Sequence, residues 1–140
     1  MKAKIRRFTQ RDHRQATELW RSCEGLGLTD SDSHEGIRAF LRRNPGLSFV
    51  AERDGQIVGT ALCGHDGRRG FIYHLAVART VRREGIGRTL VARCLARLQS
   101  IGISKCHIVV YARNRMGRQF WKAAGWVERT ELTLLSKPSA

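Results

Sequence analysis

Acidic residues are scarce in this chain: 12 Asp and Glu stand against 26 Lys and Arg, for a formal net charge of +14. That imbalance sets up a positive field that draws phosphorylated or polyanionic partners, whether nucleotides, nucleic acid or anionic lipid. The excess is dispersed from Arg6-Arg7 through Arg42-Arg43, Arg68-Arg69 and Arg82-Arg83 to Arg113, Arg115 and Arg118, so no separate basic tail exists. Long apolar runs are also missing. Basic Met1 to Phe8 leads into Thr9-Gln10-Arg11-Asp12 where a secretory signal needs apolar residues, and nothing approaches membrane-spanning length. The expectation is a cytoplasmic protein with no membrane partner. Cys23, Cys63, Cys94 and Cys106 include no C-x-x-C pair and no metal spacing, which reads as reduced core thiols and no metal site. Repeats, low-complexity segments and linkers are absent as well. At 140 residues and 41% hydrophobic content, the chain can bury roughly two thirds of its unfolded surface. A single domain spanning 1–140 is expected.

Along the chain, Ile5 to Phe8 suits a short strand, and Thr9 with Asp12 offers an N-cap to a helix burying Ala16, Leu19, Trp20 and Cys23. Ile37, Phe40 and Leu41 mark a second helix that Asn44-Pro45-Gly46 stops. Leu47 to Arg53 and Gln56 to Cys63 are two strands joined by Asp54-Gly55, the residue types of a hairpin turn with both φ values positive. Phe71 to Val77 is nearly continuous apolar sequence and reads as a central strand buried on both sides. A helical period follows, with Ile86, Leu90, Val91, Cys94, Leu95, Leu98 and Ile101 inward and Gly102 as the stop. Cys106 to Tyr111 then makes a strand parallel to the one at Phe71 to Val77. A last helix at Met116 to Ala124 precedes closing strands at Trp126 to Glu128 and Leu132 to Leu135.

The stretch Arg82-Arg83-Glu84-Gly85-Ile86-Gly87-Arg88 sits between a buried strand and an amphipathic helix. Glycines there let the backbone approach an anion, and the free N–H groups and positive dipole of a helix start suit phosphate oxygens. The alternative is a tight strand-to-helix turn and nothing more. A P-loop would need G-x-x-x-x-G-K followed by Ser or Thr, and a dinucleotide fold would need its glycines after the first strand of a βαβ series; neither is present.

Arg82 to Gly87, preceded by Leu75-Ala76-Val77, resembles the R/Q-x-x-G-x-G/A signature of the GNAT superfamily of N-acetyltransferases. Asn114 beyond the next strand agrees, and Phe120-Trp121-Lys122-Ala123-Ala124-Gly125-Trp126 is similar to that family's F-Y-x-x-x-G-F helix ending. The resemblance implies an α/β (α+β) fold: a mixed, mostly antiparallel sheet of six to seven strands, splayed between the fourth and fifth, with about four flanking helices. It implies acetyl-CoA as co-substrate, bound in the splay. The pyrophosphate would meet the backbone from Arg83 to Arg88 after Arg82, the pantetheine would run along Leu75, Ala76 and Val77, and Asn114 would contact the pantetheine or cysteamine portion. Arg83, Arg88 and Lys122 would add charge.

Acetyl transfer to an amine needs a base for the amine proton, a donor for the oxyanion and an acid for the departing thiolate. The Leu75 backbone N–H is the oxyanion candidate. His74 and Glu52 are the candidate bases, acting directly or through a water; each also has a structural reading, as a packed histidine and as a partner for an arginine. Asp66 reads as a turn cap. The family's acid tyrosine is replaced by Trp121, which cannot ionise usefully; it is a cofactor-binding candidate, with simple packing as the alternative. Tyr111 is the leading substitute acid, with Tyr73, His107 and water as alternatives.

The expected function is N-acetylation of a primary amine, small molecule or protein, by direct attack on the thioester. A non-catalytic acyl-CoA-binding module is the second reading. A nucleic-acid-binding domain is disfavoured, because no helix-turn-helix, zinc or RNA-recognition signature accompanies the charge and aromatics are not interleaved with it. Asp30, Asp32 and Glu35 can attract a cationic acceptor or serve as caps and solvated loop residues. The apolar run Leu132 to Leu135 offers an edge to a second copy, and hence a homodimer.

Overall fold

In the computed structural model of the chain, which describes residues 2–140, Asp54 and Gly55 take φ values of 54° and 77°. They close the hairpin between β2 (Phe49–Arg53) and β3 (Gln56–His65) as their residue types favour. The hairpin grows into one sheet of order β1-β2-β3-β4-β5. β1 (Lys4–Arg7) pairs antiparallel with β2, and β4 (Gly70–Val77) antiparallel with β3. β5 (Cys106–His107) pairs parallel with β4. Contacts divide the chain into two compact units, Met1–Val109 and Val110–Ala140.

In the first unit the sheet lies between two helical layers. α1 (His13–Ser22) and α2 (His34–Arg43) cover one face, where Phe8, Ala16, Leu19, Trp20, Ile37, Val50, Ile57, Leu62 and Ala76 form a continuous buried cluster. α2 starts where the Ser33 side chain accepts from the Gly36 N–H at 3.0 Å, an N-cap of the favoured residue type. α3 (Ile86–Ser100) covers the other face and buries Ile86, Leu90, Val91, Cys94 and Leu98. A Cβ built on Gly59 would stand 3.1 Å from Ile86 and Leu90 and 3.2 Å from Ala51. The absence of a side chain at that strand position is what lets the start of α3 lie close on the sheet. All four cysteines are free.

In the second unit, α4 (Arg115–Ala123) is capped by Asn114, whose Oδ1 accepts from the Gly117 N–H at 2.9 Å. Trp121 is buried there, edge-on to Phe120 and Trp126 with centroids 5.3 and 4.9 Å apart.

Several expectations are corrected. Among the described residues the sheet has five strands, not six to seven. The fifth is confined to Cys106–His107, and the segments Trp126 to Glu128 and Leu132 to Leu135 form no strand. β-type residues make a strand only where a neighbour completes the ladder, and these segments have no such neighbour among the described residues; Val127, Leu132, Leu134 and Leu135 are exposed. The expected pairing edge for a second copy therefore lacks strand geometry. β4 is not buried on both sides: Tyr73 is 44% exposed, since the strand loses its neighbour beyond Phe71. Leu95 and Ile101, read as inward, are 38% and 46% exposed. They lie at the margin of the α3 stripe, past the width the sheet covers.

Candidate active site

The β3–β4 ladder runs Leu62 opposite Tyr73 and resumes with Thr60 opposite Ala76. His74 and Leu75 therefore stand together against Ala61, as a bulge. His74 takes φ 50° there, a left-handed conformation that costs a non-glycine residue roughly 1–2 kcal/mol. What holds it is visible. The His74 carbonyl accepts the Thr60 hydroxyl at 2.8 Å, and Thr60 Oγ1 in turn accepts the Trp20 indole N–H at 2.8 Å. Trp20 and Thr60 are both fully buried.

The His74 ring rests against Trp20 with centroids 4.8 Å apart. Its Nε2 lies 2.6 Å from Asp32 Oδ1, the two side chains keeping 16% and 12% of their exposure. Asp32 belongs to the turn between α1 and α2. Its Oδ2 accepts the Thr29 N–H at 2.9 Å, and its carbonyl bonds His13 Nε2, also at 2.9 Å. An ionised carboxylate only accepts hydrogen bonds, so the contact places a hydrogen on His74 Nε2; in the neutral form of the ring the lone pair is then on Nδ1.

Beyond Phe71, β4 has no β5 neighbour: the parallel pairing consists of Gly70 with Cys106 and Phe71 with His107. Past that point this edge of β4, which carries Leu75, Ala76 and Val77, has no β5 partner among the described residues. After Val77 the chain enters the glycine-containing turn. The Arg82 Nε donates to the Val77 carbonyl at 2.9 Å, folding the turn back on the strand end. Glu84 is paired with Arg53 from β2. Arg83 and Gly85 have φ values of 66° and 83°, and a Cβ on Gly85 would meet nothing within 4 Å. The Thr89 N–H donates to the Gly85 carbonyl at 3.0 Å. The N–H groups of Gly85, Ile86 and Gly87 thus have no acceptor within α3. Arg82, Arg83 and Arg88 are exposed around them. Alternating left-handed residues ahead of a helix start make a concavity of N–H groups with positive potential, and no side chain is built into the space above Gly85.

Glu52 accepts from Arg6 Nε at 2.7 Å, in a network where Arg6 also holds Asp12 at 2.9 Å. Burial would raise the Asp12 carboxyl, but hydrogen bonds from Arg6 and from the Thr9 backbone outweigh it and hold the group below its usual range. Glu52 is thereby the arginine partner that its alternative reading described. Asp66 Oδ1 caps its turn by accepting from the Arg68 and Arg69 N–H groups, each at 2.8 Å. Burial pushes the Tyr73 hydroxyl up from its ordinary value, and the His107 ring packs 5.7 Å from Phe71. In the second unit Tyr111 is 49% exposed beneath the Arg113 guanidinium, and Lys122 pairs with Glu128 at 3.3 Å.

Sequence reasoning missed three residues of this site: Asp32 as the partner of His74, and Thr60 and Trp20 as the supports of the bulge. Asp32 and His74 are separated by 42 positions, and no spacing signals such a contact.

The model of the acetyltransferase (GNAT) family matches residues 13–126. An acetyltransferase of Pectobacterium atrosepticum is 36% identical over 110 residues, covering 79% of this chain and 77% of its own length. One of Photorhabdus laumondii is 37% identical over 106 residues, covering 76% and 73%. Among solved structures, the paiA N-acetyltransferase of Thermoplasma acidophilum in complex with coenzyme A matches 89% of each chain with a TM-score of 0.79 at 19% identity, a likeness of fold.

Proposed function

From the chain's membership of the GNAT family of acetyltransferases, we propose that it moves the acetyl group of acetyl-CoA directly onto a primary amine, as one functional domain. The observation that carries this reading is the turn at Arg82 to Arg88, where the N–H groups of Gly85, Ile86 and Gly87 have no acceptor within α3 and lie at a helix start that follows β4. A diphosphate suits that turn by charge and by hydrogen-bonding capacity. The complex of the paiA enzyme with coenzyme A supports acetyl-CoA as the ligand.

In the chemical step the amine nitrogen attacks the thioester carbonyl carbon. A C–N bond forms, the C–S bond breaks, and the amine loses one proton while the thiolate gains one. His74 takes the amine proton at Nδ1, directly or through a water. The geometry favours it over Glu52, whose carboxylate is already engaged by Arg6. The Leu75 N–H, within the bulge beside His74, stabilises the oxyanion. Tyr111 or water returns the proton to the thiolate.

Release of free thiol from acetyl-CoA in the presence of an alkylamine, amino-acid and polyamine panel tests the reading. Amine-dependent release is expected, with His74→Gln slowing it about 100-fold or more, and with Tyr111→Phe slowing it only if Tyr111 rather than water is the acid. Acetyl-CoA binding without release for any amine would favour the acyl-CoA-binding module instead.

A further inference from the structure

The bulge at His74 is held at two independent points, and only one of them is a backbone contact. Thr60, fixed by Trp20, grips the carbonyl; Asp32 grips the ring. The second contact joins the turn between α1 and α2 to the sheet. It has a chemical consequence that packing alone does not, because it selects which imidazole nitrogen carries hydrogen.

We propose that Asp32 is a positioning residue for acetyl transfer: its carboxylate keeps the neutral His74 ring in the Nε2–H tautomer, with Nδ1 presented as the proton acceptor. The inference rests on the reading of His74 as the base. No described residue hydrogen-bonds Nδ1, and the ring keeps part of its exposure, so the lone pair is open to a substrate or a water. Asp32 is itself immobilised. Thr29 and Asp32 cap the short turn Asp30–Asp32 reciprocally, His13 bonds the Asp32 carbonyl, and the Thr17 hydroxyl, donating to the His13 carbonyl at 2.8 Å, lies 3.3 Å from the same His13 nitrogen. A carboxylate tied down at its second oxygen and at its own backbone orients a histidine with little freedom of its own.

This changes the part assigned to an acidic loop residue. Asp32 is engaged with His74 on the sheet, so attraction of a cationic acceptor is left to Asp30 and Glu35, which are exposed. An acidic group facing the base also stabilises the imidazolium that forms when the amine proton arrives.

The test begins without any ligand. Nitrogen-15 spectra of the ring-labelled protein, at a pH where His74 is neutral, should show His74 with Nε2 protonated and Nδ1 bare. Asp32→Asn, which keeps an oxygen for the Thr29 N–H but can offer an amide N–H to Nε2, should lose that single-tautomer signature. Asp32→Glu should restore it at least in part. With acetyl-CoA and the amine most active in the panel, Asp32→Asn should lower kcat about tenfold or more, within the span that a general base supplies, while the KM for acetyl-CoA changes less than twofold. Acetyl-CoA calorimetry on each variant confirms an intact fold. An unchanged His74 tautomer in Asp32→Asn overturns the proposal, as does a kcat within twofold of the parent while His74→Gln is inactive. Full activity of His74→Gln would instead overturn His74 as the base and leave the tautomer measurement to be read on its own.

Discussion

Thr60 is the residue on which two polar groups depend at once, the buried Trp20 indole N–H and the part-buried His74 carbonyl. Replacing its hydroxyl by a methyl group, as in Thr60→Val, strands both. Each unsatisfied buried group costs about 1–3 kcal/mol, so urea denaturation should show Thr60→Val destabilised by at least the lower figure, with Thr60→Ser close to the parent. Asp12 gives a pH-dependent counterpart. Its folded pKa is depressed because the Arg6 and Thr9 hydrogen bonds outweigh burial. The stability it adds is therefore fully present above the unfolded value of about 3.9 and is lost as pH falls through the lower folded value. Asp12→Asn should be less stable than the parent at pH 7, and the gap should narrow as denaturation is repeated below about pH 4. A gap that holds or widens in acid would show that the depression has been misread.

At the scale of elements, the close approach of α3 to the sheet depends on Gly59 having no side chain. Gly59→Val would force the first turn of α3 outward against Ile86 and Leu90, the same turn that precedes Thr89 and carries the N–H groups facing the proposed ligand. Overpacking of this kind costs about 1–3 kcal/mol. Thermal denaturation should register that loss and calorimetry a weaker acetyl-CoA affinity, whereas a change at the distant turn residue Gly67, whose Cβ would meet nothing within 4 Å, should leave binding unaltered. Elements of this order were legible in the sequence. The Asp54-Gly55 hairpin, the α3 stripe from Ile86 to Leu98 and the Asn44 stop are each written in residues adjacent along the chain. The bulge at His74 was not, since a register shift is set by Thr60 and Trp20 from elsewhere in the fold. Nor were the limits of β5 or the strandless stretch after Trp126, because β-type residues such as Val109, Val127 and Leu134 carry no mark of whether a neighbouring strand is there to pair with them. The glycine-containing turn, being local, was readable, while the contact of Asp32 with His74, being tertiary, was not.

Over the whole molecule, the positive charge is spread along the sequence, and among the described residues no helix is long and apolar enough to cross a membrane. Such a field attracts any polyanion from a distance and weakens with salt. Selection, on the reading proposed above, comes from the turn at the start of α3, where Arg82, Arg83 and Arg88 are exposed and a Cβ on Gly85 would meet nothing within 4 Å. The central claim is that this turn binds the diphosphate of acetyl-CoA. Calorimetric titration of the protein and of Gly85→Val with acetyl-CoA and with S-acetylpantetheine, which lacks the diphosphate, tests it most directly. The account predicts that acetyl-CoA binds the parent at least tenfold more tightly than S-acetylpantetheine, and that Gly85→Val abolishes this difference by weakening acetyl-CoA alone. Equal affinities for the two ligands, or acetyl-CoA binding indifferent to Gly85→Val, would contradict it.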